Sequence, residues 1–212
     1  MNQFTLHGRT GWGSAIVEMQ LAWFGLPYRL EDSGDLLDSA DARDKLRPLN
    51  PLAQVPVLVL PDGKTMTESA AITLHLADLT EREDLVPGPK TAERADFLRW
   101  LVFIVANIYP TFTYADLPAR FVKTEGAADA FRAEVDAYAR RMWATVEGAA
   151  GAPHFLGARF SALDIYLAVM TRWRPGRAWF AEHAPRVSAA ADKAASMAAV
   201  AAVMERNFPK KT

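Results

Sequence analysis

The stretch that decides the fold is residues 50–69, which read NPLAQVPVLVLPDGKTMTES. The apolar run after Pro56 predicts a β-strand, and the Asp-Gly pair at 62–63 predicts the tight turn of a hairpin. A second strand is predicted over residues 64–67, and a helical pattern begins at Ser69. A loop, a hairpin and a helix start in this order are typical of a site that holds a small peptide by its backbone.

Strand and helix signals alternate ahead of this stretch. The sequence GRTGWG at residues 8–13 predicts a loop, and Ser14 after it is a good N-cap for a helix. The order over residues 1–80 therefore predicts a small α/β sandwich of thioredoxin type. The predicted elements are strand 4–7, helix 14–24, strand 27–30, helix 38–46, strand 57–60, strand 64–67 and helix 69–79.

The rest of the chain predicts an all-helical bundle domain. Residues 81–90 are charged and contain Pro-Gly-Pro, which indicates a linker, and residues 91–212 carry only helical patterns. Pro110 is expected to kink or end the first long helix, because it removes a backbone donor. Ser161 and the acid three residues after it form a capping box. The Ala-rich run at residues 188–203 predicts a terminal helix.

Composition excludes several function classes. The chain has 212 residues and a net charge of −1, which gives no electrostatic case for binding nucleic acid or acidic membranes. It has no cysteine, which excludes disulfides, thiolate metal sites and a protein thiol nucleophile. Four scattered histidines lack metal-ligand spacing, so no metal is expected. The N-terminus lacks the features of a signal peptide, so a cytoplasmic location is expected.

An α/β half followed by an all-helical half resembles the bacterial type of the cytosolic glutathione S-transferases. The resemblance covers the whole chain and is sharpest over residues 50–69. The sequence Gly-Leu-Pro-Tyr at 25–28 and the capping box at Ser161 also resemble that family. The resemblance implies that glutathione is a co-substrate whose thiolate is conjugated to a small apolar electrophile. It also implies a homodimer and a role in detoxification.

The resemblance further implies which residues bind glutathione. A cis bond before Pro56 would bare the N–H and C=O of Val55 for a short ladder with the cysteinyl residue. Ser69 and its backbone N–H would take the γ-glutamyl carboxylate, and Glu68 would face the amino group. By local sequence alone, Ser69 is a plain N-cap. The candidates for the glycyl end are Gln54 and Arg47.

The residue that activates the thiol stays open at this point. A free thiol titrates near ~8.5, and lowering that value by about two units requires roughly 2.7 kcal/mol. The family uses Tyr, Ser or Cys after the first strand, but the first 27 residues contain neither Tyr nor Cys. Ser14 is the first candidate and Thr10 the second. Trp12 could shape the pocket or donate its indole N–H, or backbone N–H groups of the loop could suffice without any side chain.

The electrophile pocket is expected between the two halves. The aromatic and polar candidates for its walls are Trp100, Phe103, Asn107, Tyr109, Phe112 and Tyr114. Two other functions remain open. One is glutathione-dependent reduction of disulfides or peroxides, in which glutathione itself attacks because the protein has no cysteine. The other is a non-catalytic binding module that keeps the fold.

Overall fold

The computed structural model describes residues 3–209, and within this range the chain forms four strands and ten α-helices. The strands are β1 (Phe4–Gly8), β2 (Tyr28–Asp32), β3 (Val57–Val59) and β4 (Thr65–Met66). The helices of the first half are α1 (Ser14–Phe24), α2 (Ala40–Leu46) and α3 (Ser69–Thr80). Those of the second half are α4 (Arg94–Phe103), α5 (Tyr109–Asp116), α6 (Ala128–Ala149), α7 (Ala162–Met170), α8 (Arg177–His183), α9 (Pro185–Ala195) and α10 (Ala198–Asn207).

The four strands form one mixed sheet in the order β2-β1-β3-β4. Strand β1 is parallel to β2 and antiparallel to β3, and β3 pairs antiparallel with β4. Leu6 lies in register between Leu30 and Leu58, and Leu6 and Leu58 are fully buried. Helix α1 packs on β1 and on α3. The predicted thioredoxin-like half and the helical second half are therefore both confirmed.

Of the three serines predicted to cap helices, only Ser161 does so in the structure. Ser14 and Ser69 do not cap α1 and α3, because each is already the first helical residue and Gly13 and Glu68 occupy the cap positions. A capping side chain needs extended backbone to reach back to the first turn. Ser161 has that backbone, with φ −153° and ψ 175°, and its predicted capping box is present.

The first long helix of the second half changes its winding before Pro110. Helix α4 ends at Phe103, a π-helical segment spans Ile104–Ile108, and Pro110 is the second residue of α5. The first turn of a helix has no intrahelical partner for its N–H groups, so proline is accommodated there. Such π-helical turns often occur at functional sites. This one ends directly before Tyr109, which lies at the boundary between the two halves.

The Ala-rich run near the C-terminus is not one helix but two, which corrects the prediction. Helices α9 and α10 meet at an angle of 100°, because the Ser196 hydroxyl caps the carbonyl of Lys193 at 2.7 Å and Met197 takes extended backbone. Helix α10 then returns to pack on α1. No single helix within residues 3–209 is long and apolar enough to cross a membrane. Helices α9 and α10 reach that length and apolar composition only when the bent pair is counted as one segment.

The predicted linker at residues 81–90 is packed into the molecule. Leu85 and Val86 are buried, and the Leu85 carbonyl accepts a hydrogen bond of 2.8 Å from the Ala162 amide. The indole of Trp23 donates to the Asp84 carboxylate at 2.5 Å. The two halves therefore share one continuous hydrophobic core. The domain limits at residues 80 and 91 lie at the last residue of α3 and shortly before α4, and they stay a prediction.

Candidate functional site

Two cavities meet at the boundary between the halves. The larger has a volume of about 400 Å³ and mostly aromatic and aliphatic walls, and the smaller has about 270 Å³ and more polar walls. The residues that line both are Gln54, Val55, Tyr109 and Thr113. The larger, here called the apolar cavity, is otherwise lined by Gly11, Trp12, Gly13, Leu36, Leu37, Ala53, Phe112, Asp116, Arg120, Trp173 and Arg174. The smaller, here called the polar cavity, is otherwise lined by Asn50, Pro56, Glu68, Ser69, Val105, Pro110 and Tyr114.

The wall shared by the cavities includes the backbone of Val55. The Val55–Pro56 peptide bond is cis, as the resemblance implied. In the part of the chain that the structure describes, neither the amide nor the carbonyl of Val55 has a hydrogen-bond partner. The Asn50 side chain holds the loop in place, because its amide donates to the Gln54 carbonyl at 2.9 Å and its oxygen accepts from the Leu52 amide at 3.1 Å. An extended peptide could pair with Val55 as one further strand.

The opposite wall of the polar cavity is the start of α3. Glu68 has a positive φ of 65°, and its side chain is exposed. Ser69 opens the helix, where the first N–H groups have no intrahelical partner and favour a carboxylate. Behind Ser69, the Thr73 hydroxyl donates to the Ser69 carbonyl at 2.8 Å and lies 3.5 Å from the Tyr166 hydroxyl. Burial raises the pKa of Tyr166 to about 12.

The loop before α1 is held from the helical half. The Gly11 amide donates to the Asn207 side chain at 3.0 Å, and the Gly11 carbonyl accepts from the Trp173 indole at 2.8 Å. Gly11 has φ +77°, a conformation that favours glycine. The amide of Asn207 in turn donates to the buried carboxylate of Glu18 at 2.8 Å. These contacts fix the part of the loop that forms the floor of the apolar cavity, including Trp12.

The two candidates for thiol activation lie away from the cavities. The Ser14 hydroxyl accepts from the Arg9 amide at 3.0 Å and donates to the Arg9 carbonyl at 3.2 Å. Ser14 is 2% exposed and lines neither cavity. Thr10 is exposed and also lines neither cavity. Both hydroxyls therefore stand outside the shared wall in this conformation.

Tyr109 stands at that wall instead. Its hydroxyl is buried and has no hydrogen-bond partner among the described residues. A Cβ built on Gly13 would overlap the Tyr109 hydroxyl oxygen, and the Val55 carbonyl lies 3.6 Å from the same point. Burial raises the pKa of Tyr109 well above its usual range, and the neighbouring Tyr166 adds to this. The sequence suggested Tyr109 as a wall of the electrophile pocket but gave no signal for its contact with the start of α1.

The remaining candidates for the electrophile pocket separate into two groups. Phe112 lines the apolar cavity and Tyr114 the polar one. Trp100, Phe103 and Asn107 line neither cavity. Trp100 is buried against Phe103 and Phe155, with ring centroids 5.2 and 5.5 Å away, and Asn107 is exposed with its amide on the Phe103 carbonyl. Arg47, a candidate for the glycyl end, is exposed and pairs with Asp44.

The apolar cavity has charged residues at its rim that the sequence did not indicate. Arg174 binds Asp116 at 2.5 Å and Asp136 at 3.1 Å. Burial lowers the pKa of Arg174, but the bonds to these two carboxylates outweigh it and raise the pKa overall. Arg120 reaches the Leu36 carbonyl at 3.4 Å. Across residues 3–209, no three carboxylate or imidazole side chains come together in an arrangement that could hold a metal ion.

Comparisons with known proteins give matches to one family. Residues 14–79 match the family model described as the N-terminal domain of glutathione S-transferase. The chain is 37% identical over 203 residues to YncG, an uncharacterized GST-like protein of Escherichia coli K12, covering 95% of this chain and 97% of that one. It is 28% identical over 171 residues to the glutathione S-transferase GST-4.5 of Xanthomonas campestris, covering 79% and 81%.

Among solved structures, a glutathione transferase homologue from Sulfitobacter with bound glutathione superposes with a TM-score of 0.86 at 25% identity. That match covers 97% of this chain and 98% of the other. The sequence match to YncG extends over nearly the full length of both proteins, and the structural match has the same extent. The chain therefore belongs to the glutathione S-transferase family.

Proposed function

We propose that this protein is a glutathione transferase that conjugates the glutathione thiolate to a small apolar electrophile. The observation that carries the proposal is the wall shared by the polar and apolar cavities, which includes Val55 and Tyr109. One cavity suits a charged tripeptide and the other an apolar partner. A reaction between the two ligands requires such a common boundary, because the sulfur and the electrophilic carbon have to meet there.

The polar cavity supplies the groups that a γ-glutamyl peptide needs. Glu68 offers a carboxylate for the amino group, and Ser69 offers a hydroxyl and the start of α3 for the carboxylate. The unpaired amide and carbonyl of Val55 bind the cysteinyl backbone as a short antiparallel ladder. Gln54, exposed at the rim, takes the glycyl end. The cysteinyl side chain then points across the shared wall.

In the reaction, the glutathione thiol loses its proton to solvent and the thiolate attacks an electrophilic carbon. A carbon–sulfur bond forms as the bond to the leaving group breaks. The protein holds both reactants at the boundary of the two cavities, which removes much of the entropic barrier to their encounter. Trp12, Phe112 and Trp173 provide an apolar surface for the electrophile.

Two measurements test the proposal on the purified protein. Calorimetry measures glutathione binding, and turnover of a model aryl halide with glutathione measures conjugation. We expect saturable binding and a rate above the uncatalysed reaction. The absence of any binding would contradict the proposal at its first step, and binding without turnover would contradict the catalytic step alone.

A specific observation favours the non-catalytic binding module as the second candidate. The Ser14 hydroxyl is engaged with the Arg9 backbone, so it does not face the shared wall. A protein that binds glutathione without lowering the pKa of its thiol would fit that arrangement.

Glutathione-dependent reduction, in which glutathione itself supplies the attacking sulfur, is a separate candidate. Measuring turnover of a model disulfide as well as of the aryl halide separates this reduction from conjugation.

The assembly and location are proposals that family membership supports. A homodimer in which the α/β half of one subunit faces the helical half of the other would cover two exposed apolar side chains. These are Leu52 in the first half, 67% exposed, and Val102 in the second, 57% exposed. Sedimentation or light scattering tests the dimer. A cytoplasmic location and a role in detoxification accompany the same proposal.

A further inference from the structure

A buried hydroxyl without a partner is the least explained polar group at the site. The Tyr109 oxygen is shielded from solvent, and no described residue accepts its proton. Leaving such a group unpaired lowers the stability of the folded protein, because the hydrogen bond to water is lost and not replaced. The ring itself is fixed, with its centroid 5.7 Å from that of Trp173 and 6.4 Å from that of Phe112, both edge to face. The position of the hydroxyl is therefore set by packing.

The hydroxyl lies where the loop before α1 meets the Val55 backbone. It stands against Gly13, the residue before α1, in space that any other side chain at position 13 would fill. The Val55 carbonyl borders the same space. The N-terminal end of α1, a helix of 11 residues, adds partial positive charge there. The Ser14 hydroxyl is turned away to Arg9.

We propose that the Tyr109 hydroxyl donates a hydrogen bond to the sulfur of bound glutathione and thereby stabilises its thiolate. This inference rests on the proposed function and places an activating group in the second half of the chain. The donor comes from α5 of the helical half, across the shared wall, while α1 supplies its helix end. The thiol proton leaves to solvent and Tyr109 keeps its own proton throughout.

The other ionisable groups around the wall do not replace this donor. Glu68 and Asp116 are acids whose negative charge would oppose a thiolate. Arg174 is held by Asp116 and Asp136, and Arg120 lies at the rim against Leu36. The other residues with hydroxyls that line the cavities are Ser69, Thr113 and Tyr114, which is 40% exposed.

The Tyr109→Phe variant tests the inference, with Tyr138→Phe as the matched control. Tyr138 is an exposed tyrosine on α6 that lines neither cavity. The pKa of bound glutathione is read from the ultraviolet absorbance of its thiolate against pH. We expect Tyr109→Phe to raise that pKa by about one unit, a tenfold loss of thiolate below the pKa, while the control leaves it unchanged. The unfolding midpoint of Tyr109→Phe should stay the same or rise, because an unpaired buried hydroxyl is removed.

A second pair of variants tests the position of the hydroxyl. Gly13→Ala should weaken glutathione binding in the native background, because the new methyl group overlaps the Tyr109 oxygen. The same change in the Tyr109→Phe background should cost less, because that oxygen is gone. An equal loss in both backgrounds would contradict the proposed arrangement.

The outcomes separate this inference from the function on which it rests. If the native protein binds no glutathione, the proposed function fails and the inference falls with it. If glutathione binds but Tyr109→Phe leaves the pKa of its thiol unchanged, the inference alone is overturned. A raised thiol pKa with unchanged affinity for protonated glutathione supports it, even when turnover is low.

Discussion

The side chain of Asn207 accepts a hydrogen bond of 3.0 Å from the amide of Gly11, 196 residues earlier in the chain. It joins the last described helix to the loop that lies under the apolar cavity. The Trp173 indole holds the carbonyl of the same glycine. The backbone of the loop is thus fixed on both sides by the helical half, which sets the position of Trp12 and Gly13 at the site.

We predict that Asn207→Ala lowers the free energy of unfolding by about 1–3 kcal/mol, because the Gly11 amide and the buried Glu18 carboxylate each lose a partner. Urea unfolding measures this change. We also expect a higher KM for glutathione, because the loop loses one of its two anchors. Glu205→Ala, an exposed change on the same helix, is the matched control. Equal stability of the two variants would contradict the role given to Asn207.

Glu68→Gln should reduce the affinity for glutathione about tenfold or more, because the proposed charged hydrogen bond to the amino group would be lost. Calorimetry at constant salt measures the change. Glu81→Gln is a close control, since Glu81 also has a positive φ, of 52°, and flanks the other end of α3. A similar loss of affinity in both variants would point to an effect on the helix rather than on the ligand.

Phe112→Trp should narrow the apolar cavity without touching the polar one, since Phe112 lines only the former. We expect the KM for a bulky aryl halide to rise several-fold while the dissociation constant for glutathione stays the same. Steady-state kinetics with aryl halides of two sizes, together with calorimetry, measure both quantities. A changed glutathione affinity with an unchanged electrophile KM would reverse the assignment of the two cavities.

Asp164→Ala should lower the free energy of unfolding by about 3 kcal/mol or more, because two buried amides lose their acceptor. The Asp164 carboxylate accepts from Phe155 at 2.7 Å and from Ser161 at 2.9 Å, and the side chain is fully buried. Urea unfolding measures the loss, with Asp78→Ala on the exposed face of α3 as the control. A loss below about 1 kcal/mol would show that water replaces the carboxylate.

We predict that the free energy of unfolding depends on pH through His7. Burial lowers the pKa of His7 in the folded protein; Glu31 opposes this and Arg29 adds to it. The unfolded chain therefore binds more protons than the folded one in the window below about 6.5, so stability should fall as the pH falls through that window.

The variant His7→Gln should remove this part of the slope in unfolding experiments between neutral and mildly acidic pH. His183→Gln, a change at an exposed histidine on α8, is the comparison. A slope that His183→Gln removes and His7→Gln leaves in place would contradict the assignment to His7.

The sequence was most informative where the structure depends on neighbours along the chain. The limits of α1, the hairpin of β3 and β4 and the capping box at Ser161 follow from periodicity, turn residues and a local cap, and each was predicted. The cis bond before Pro56 came from the family resemblance. Val55, Glu68 and Ser69 do line one cavity, although their contacts with glutathione remain a proposal.

What the sequence missed depends on contacts between distant segments. The Ser14 hydroxyl turns back to Arg9, and nothing in the local pattern of a serine before an apolar helix distinguishes this from a cap or a ligand contact. Tyr109 meets Gly13 only because the π-helical segment and the packing of α5 carry its ring there. The break at Ser196 was hidden because alanine favours a helix on both sides of it.

The sharp bend between α9 and α10 also makes the loop around Gly11 depend on a segment far away in the chain. Gly11 and Asn207 are 196 residues apart, so a chain that has formed its sheet alone still lacks this hydrogen bond. Removing the residues beyond the bend would therefore release one side of the loop that lines the apolar cavity.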